Sequence, residues 1–248
     1  MSTPTAEQFV RLAGPEDSLP GGLSFFGAPA GRDLAELAHR FAEDGYVLVK
    51  RFLCAPLLAV AYRYLWLSLQ TGRGNWDDTR LAGTMSLYGD CMLECILEFA
   101  TPAVESIVSR KLRPGFAYGR LNKHGDVLER HRDRSTCKIS AILSLGHEVG
   151  EVRKTRPGYV SPMFMNGNPV ACEPGDMIVF RACEVWHWRD AFEGRSQAQV
   201  SLHYLDGDRQ ATIQTLCVSG SQLSLELLSR KTAVMDALIP FEEPGESI

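Results

Sequence analysis

The 248-residue sequence contains no apolar run near the roughly 18 residues that a membrane-spanning helix needs. It also has no excess of basic residues, because 26 Lys and Arg stand against 30 Asp and Glu. We therefore expect neither nucleic acid nor a membrane surface as a partner. The seven cysteines are scattered, and the start MSTPTAEQF lacks the basic and apolar segments of a secretory signal. A cytoplasmic protein with reduced thiols is expected.

What the sequence does contain is a change of pattern near residue 113. Helical patterns precede it, and short β-type runs separated by turns follow it to about residue 207. The predicted fold class is α+β, with one domain over residues 1–248 and a jelly-roll core at about 113–207. We expect a flanking N-terminal helical region within about 31–112 and a C-terminal helix at about 221–238. The individual N-terminal elements are predicted as helices at 33–44, 56–70, 90–100 and 101–111 and a strand at 46–49.

One short motif indicates metal chemistry. Alternate residues of a strand point to the same face, so His131 and Asp133 project together while Arg132 points away. A second histidine, His187, follows about fifty residues of β pattern and a strand that begins at the turn of residues 174–176. Two imidazoles and one carboxylate are the facial triad of non-haem Fe(II) sites. His131, Asp133 and His187 are therefore the candidate metal ligands and catalytic residues.

These motifs resemble the 2-oxoglutarate- and Fe(II)-dependent dioxygenases, above all small bacterial members of prolyl-hydroxylase or phytanoyl-hydroxylase type. The resemblance covers roughly residues 115–206, through the stretches YGRLNKHGDVLERHRDRSTCKISAILSL, PGDMIVFRACEVWHWRDAFEG and QAQVSLHY. It implies a distorted jelly roll, the double-stranded β-helix, with Fe(II) on the three candidate ligands. It also implies 2-oxoglutarate and O2 as cosubstrates, with release of succinate and CO2. The expected reaction is hydroxylation, or another oxidation such as epimerisation or cyclisation, of a small molecule such as an amino-acid derivative or natural-product intermediate.

The resemblance also suggests cosubstrate-binding residues. The family usually anchors the distal carboxylate of 2-oxoglutarate with an Arg or Lys shortly after the distal histidine. Here Arg195 lies close to that place, the commoner position holds Gln197, and Arg189 is the competing anchor. Arg120 and Asn122 lie on the strand before the HxD motif, on one face by alternation, and are expected to contribute polar contacts.

Other interpretations compete with the dioxygenase. The string HRD also occurs in protein kinases, but Lys138 stands where a kinase needs Asn, and no glycine-rich ATP loop is present. Two alternatives remain open: a cupin-like metal-binding or sensing protein without turnover, and an Fe(II) oxygenase that does not use 2-oxoglutarate. Tyr118 and His203 either line the site or serve packing. The sequence predicts no oligomeric state.

Overall fold

A helical segment followed by two antiparallel sheets makes up the described residues, 32–74, 83–133 and 138–206, in a computed structural model of the protein. The helices are α1 (Arg32–Asp44), α2 (Ala55–Gln70), α3 (Cys91–Val108) and α4 (Gly150–Thr155). The strands are β1 (Tyr46–Val49), β2 (Met85–Tyr88), β3 (Leu112–Lys123), β4 (Leu128–His131), β5 (Ile139–Glu148), β6 (Met163–Met165), β7 (Asn168–Val170), β8 (Met177–Arg181), β9 (His187–Arg189) and β10 (Ser196–Asp206). Among these helices, none is long and apolar enough to cross a lipid bilayer.

The ten strands form a large and a small sheet. The large sheet has the order β1-β8-β5-β10-β3-β2, and the small sheet has the order β4-β9-β6-β7. Every pairing is antiparallel, and β10 lies between β5 and β3 over most of its length. The chain passes from β8 in the large sheet to β9 in the small one through a turn closed by hydrogen bonds to the carbonyl of Arg181. Two antiparallel sheets joined in this way fit the predicted jelly-roll core.

The two faces of the large sheet have different neighbours. Side chains on its outer face pack with helices α2 and α3 in the main apolar core, which includes Leu65, Leu93, Leu143 and Val200. A second apolar cluster draws its members from both sheets, among them Leu128, Ile142, Met163, Met165, Ile178 and Phe180. It therefore fills part of the space between the sheets, and the remaining inner positions of β10 are polar.

Helix α3 runs without a break where the sequence predicts two helices. Pro102 lies inside it, although proline cannot donate the hydrogen bond that a helix interior requires. The apolar face continues past the proline with Val104 and Ile107, both buried, so packing holds the last turns in place. The predicted break at residues 100–101 is therefore wrong. The helices predicted at 33–44 and 56–70 are confirmed to within one residue.

The predicted strands agree with the structure well in the large sheet and less well in the small one. The structure adds β2, helix α4 and β9. The sequence places His187 at the end of the β8 run, whereas the chain turns there and His187 begins a strand of the other sheet. The Pro-Gly-rich start and the predicted helix at 221–238 lie outside the described residues.

Close packing between β3 and the helices gives a stability prediction. A Cβ atom added at Gly119 would lie 2.7 Å from Leu93 Cδ1 and 2.9 Å from Leu65 Cδ1, and both leucines are fully buried. We expect Gly119→Ala to lower the free energy of unfolding by roughly 1–3 kcal/mol through overpacking. Gly150→Ala is the control, because nothing lies within 4 Å of its added Cβ, and a loss above about 0.5 kcal/mol is not expected there. Urea denaturation followed by circular dichroism measures both, and equal losses would contradict this account.

Candidate metal centre

Strand pairing in the small sheet brings the three predicted metal ligands together. His131, the last residue of β4, lies opposite His187, the first residue of β9, and their ring centroids are 4.2 Å apart. Asp133 follows β4 and is fixed by a 2.8 Å hydrogen bond from its backbone N–H to the carbonyl of Ala182. One ligand atom from each of the three residues lies within 4.8 Å of the others.

In both histidines, Nε2 is the ring nitrogen available to a metal ion between the three candidate ligands. Nδ1 of His131 is 2.7 Å from the carbonyl oxygen of Glu129, and Nδ1 of His187 is 3.1 Å from that of Val185. Because a carbonyl oxygen only accepts, each Nδ1 must carry a proton, which leaves Nε2 as the metal-binding atom. The Nε2 atoms lie 3.7 and 3.8 Å from Asp133 Oδ1. That is near the ~3–4 Å expected for two ligands of one ion at bond lengths of about 2.1 Å.

A further polar group contacts the other carboxylate oxygen of Asp133. Ser140 Oγ lies 3.4 Å from Asp133 Oδ2 and 2.9 Å from Nδ1 of His203, so the three side chains form one connected group. His203 therefore lines the centre through Ser140. Exposure rises across the three candidate ligands, from 4% for the side chain of His187 to 13% for Asp133 and 22% for His131. The site is thus reached from the His131 side.

A buried arginine lies two residues beyond His187 on the same face of β9. The Arg189 side chain is almost fully buried at 2% exposure. Its Nη1 donates to the side-chain oxygens of Gln197 and Gln199, at 2.8 and 2.9 Å. Its Nε and Nη2 have no hydrogen-bond partner among the described residues. One edge of the guanidinium is therefore held by β10, and the other edge offers two unused donors.

The described residues around Arg189 compensate its charge only in part. Burial and, to a smaller degree, the neighbouring Arg120 lower the pKa of Arg189 to about 10, against the opposing effects of Asp126 and Tyr159. Asp126 is itself engaged by Thr84 and by the backbone and ammonium of Lys123. Arg189 remains protonated at neutral pH, so an anion with two acceptor oxygens would satisfy both its charge and its free edge.

The structure separates the two anchor candidates. Arg195 is on the surface, with its side chain 87% exposed and 3.4 Å from Glu148, whereas Arg189 points into the space between the sheets. The other two predicted residues lie on the inner side with Arg189. Asn122 is fully buried and donates to Gln199, and Arg120 donates to the hydroxyl of Tyr118.

Sequence reasoning missed the roles of Gln197 and Gln199. Along the chain, Gln197 stands out only as a departure from the usual basic residue, and Gln199 only as part of an alternating pattern. Together with Ser201 and His203 they form a polar alternation with Ala198, Val200 and Leu202 on the other face, and that pattern is visible in the sequence as QAQVSLH. Such an alternation in a buried strand indicates a polar site between the sheets. The side-chain contact between β10 and β9 across the two sheets was needed to show that these glutamines hold Arg189.

Comparisons with known proteins agree with this architecture. No protein-family profile matches the sequence, and no curated protein matches it. Among solved structures, a Pseudomonas putida prolyl-4-hydroxylase is 19% identical with a TM-score of 0.56, over 70% of this chain and 98% of that one. The epimerase SnoN, in complex with Fe3+, alpha ketoglutarate and nogalamycin RO, is 16% identical with a TM-score of 0.59, over 76% of this chain and 91% of that one. EctD from S. alaskensis is 12% identical with a TM-score of 0.55, over 73% and 78% of the two chains.

The chain therefore has the fold of the 2-oxoglutarate- and Fe(II)-dependent oxygenases, and the resemblance inferred from its motifs is confirmed at the level of the fold. Within that fold, His131, Asp133 and His187 form a donor set that fits iron.

Removing one donor tests the metal centre. We expect His187→Ala to weaken binding of Fe(II) by more than about 100-fold, because loss of a direct ligand should exceed the 10–100-fold effect of losing an outer partner. His124→Ala is the control, since His124 is an exposed residue that contacts the carbonyl of Glu193 instead. Anaerobic titration calorimetry with Fe(II) measures both variants. Undiminished binding by His187→Ala would place the metal elsewhere.

Proposed function

We propose that this protein is a non-haem Fe(II)- and 2-oxoglutarate-dependent oxygenase that acts on a small molecule. One observation supports this most strongly: the unused edge of buried Arg189 lies on the same face of β9 as His187, two residues away. Two residues of strand span about 6.6 Å, a distance suited to a five-carbon dicarboxylate that reaches from a metal to a cation. The double-stranded β-helix of the family is the proposed form of the two sheets.

The three candidate ligands would hold the iron from one side. Their neutral imidazoles and single carboxylate leave the remaining coordination positions for the cosubstrates, and the intact Asp133 keeps the full triad. When bound, the iron would supply the oxidising chemistry with 2-oxoglutarate and O2 as cosubstrates, one oxygen atom ending in the succinate that is released with CO2 and the other serving the oxidation of the substrate. The chain's own task is to bind, orient and exclude water.

Arg189 is the proposed anchor for the distal carboxylate of 2-oxoglutarate. Its two free donors match the two oxygens of a carboxylate, and the low negative charge around it favours an anion. Gln197 and Gln199 hold the opposite edge, so little side-chain entropy remains to be lost on binding. Arg120 and Asn122 line the same region as supporting polar residues. Arg195, exposed and paired with Glu148, is the weaker candidate.

The reaction outcome and the substrate are proposed at the level of class. Hydroxylation is the default, with epimerisation or ring closure as related outcomes, since the similar structures include a prolyl-4-hydroxylase, an epimerase and the carbocyclase SnoK. We favour a small amino-acid derivative or natural-product intermediate in a cytoplasmic setting. SnoN was solved in complex with a small molecule, nogalamycin RO, although another similar structure is of a prolyl hydroxylase bound to a peptide fragment.

Absorbance under anaerobic conditions tests the proposal directly. Addition of Fe(II) and 2-oxoglutarate together should produce a weak visible charge-transfer band that neither produces alone. Tight metal binding with a silent spectrum would favour the cupin-like alternative. Oxygen consumption that is indifferent to 2-oxoglutarate would favour an oxygenase of another kind.

A matched pair of variants tests the anchor. Arg189→Met removes the protein charge that would pair with the buried carboxylate of 2-oxoglutarate. Loss of one partner of such a pair costs several kcal/mol, so this variant should raise the Kd of 2-oxoglutarate by about 30-fold or more. Arg195→Gln should leave that Kd unchanged, because its side chain lies in solvent. Titration of the charge-transfer band measures both. The reverse ranking would make Arg195 the anchor.

A further inference from the structure

A buried histidine with an unused donor lies one strand away from the residues that hold Arg189. His147 on β5 pairs directly with Gln197 on β10, and directly paired residues project from the same face of a sheet. Gln197 contacts Arg189 in the space between the sheets, so the side chain of His147 belongs to the same inner surface. That side chain is 4% exposed.

Contacts on the far side of the ring determine its tautomer. Nη2 of Arg153 lies 3.2 Å from Nε2 of His147, and Nε of Arg153 donates to the carbonyl of Tyr159. Arginine can only donate, so Nε2 must accept, and the proton of the neutral ring lies on Nδ1. The carboxylate of Glu173 is 3.7 Å from Nε2, which is beyond hydrogen-bond distance, and it accepts a hydrogen bond from Nη2 of Arg153 instead. Burial also lowers the pKa of His147, which favours the neutral form.

The proton-bearing Nδ1 is the atom left unsatisfied. It is buried and has no hydrogen-bond partner among the described residues. Ser144, another inner residue of β5, has a buried hydroxyl in the same condition. Together with Nε and Nη2 of Arg189, these groups place several donors on the same inner surface. A carboxylate, with about four acceptor sites, can accept from several of them at once.

We propose that His147 is a second binding residue for the dicarboxylate held by Arg189, donating from Nδ1–H to an oxygen of its distal carboxylate. This inference rests on the proposed function. It adds a neutral, directional donor to the charged one, so recognition depends on the position of the carboxylate as well as on its charge. Arg153 and Glu173 act behind the ring as positioning residues that keep the proton on Nδ1.

Two replacements of His147 separate its two nitrogens. The amide of asparagine reaches about as far as Nδ1 and keeps a donor at that position. The amide of glutamine reaches as far as Nε2 and leaves no donor at the position of Nδ1. We expect His147→Gln to raise the Kd of 2-oxoglutarate about tenfold and His147→Asn to change it less than about threefold. Calorimetric titration of 2-oxoglutarate into the Zn2+-loaded full chain gives both constants. Thermal melting should show both variants folded.

The outcomes distinguish this inference from the proposed function. If the wild type binds 2-oxoglutarate and His147→Gln binds it equally well, His147 serves packing or a bridging water only, and the inference fails while the function stands. If the wild type binds no 2-oxoglutarate, both fail. Equal weakening in the two variants would also overturn the role of Nδ1.

A second measurement requires neither metal nor cosubstrate. Two-bond 1H–15N correlation spectra of the protein labelled with 15N-histidine report which ring nitrogen carries the proton. We expect the Nδ1–H tautomer for His147 in the wild type. In Arg153→Met the carboxylate of Glu173 loses its hydrogen bonds from Arg153, and a small shift from its 3.7 Å distance would let it accept from Nε2–H. The ring should therefore change to the Nε2–H form, and 2-oxoglutarate binding should weaken as in His147→Gln. An Nε2–H tautomer in the wild type would overturn the inference.

Discussion

The structure depends on the two-residue period of β10, the strand between β5 and β3. One face of this strand carries Ala198, Val200, Leu202 and Tyr204, which are fully buried in the main core with helices α2 and α3. The opposite face carries Gln197, Gln199, Ser201 and His203. A register shift of one residue would put the polar set into the apolar core, so burial of the apolar face also fixes the direction of every polar side chain in the candidate site.

A buried positive charge is the second constraint on the site. Removing Arg189 from water is costly, and the hydrogen bonds to Gln197 and Gln199 recover only part of that cost, since neither amide carries charge. The lowered pKa of Arg189 reflects the same imbalance. This arrangement would be preorganised for the proposed anion, because Gln197 and Gln199 already hold the guanidinium and the favourable charge pairing would come with the ligand.

Much of the fold and of the candidate metal centre is predictable from local pattern. Helices α1 and α2 and the strands of the large sheet other than β2 follow periodicity and turn residues. The HxD spacing with a later histidine points to the three residues that cluster. The sequence wrongly predicts two helices in place of α3, because a proline locally indicates a helix break. The buried side chains of Val104 and Ile107 stabilise the continuous helix through tertiary packing, which no local pattern shows. Strand β9 escapes prediction because three residues leave almost no periodicity, and it exists through its pairing with β4 and β6.

The sequence by itself determined the class of the fold, the donor types and the order in which they occur, since these follow from residue chemistry and short periods along the chain. Only the tertiary structure decided which arginine faces the site. Arg189 and Arg195 are six residues apart and chemically identical, but β9 turns the first inward, whereas the second lies just before β10 and pairs with Glu148 in solvent. The same holds for His147, whose Nδ1 lacks a partner within the described part of the chain and whose place on the inner surface follows only from its pairing with Gln197 and its contact with Arg153. Such assignments depend on strand register and sheet-to-sheet contact, which join residues far apart in the chain and leave no local signal.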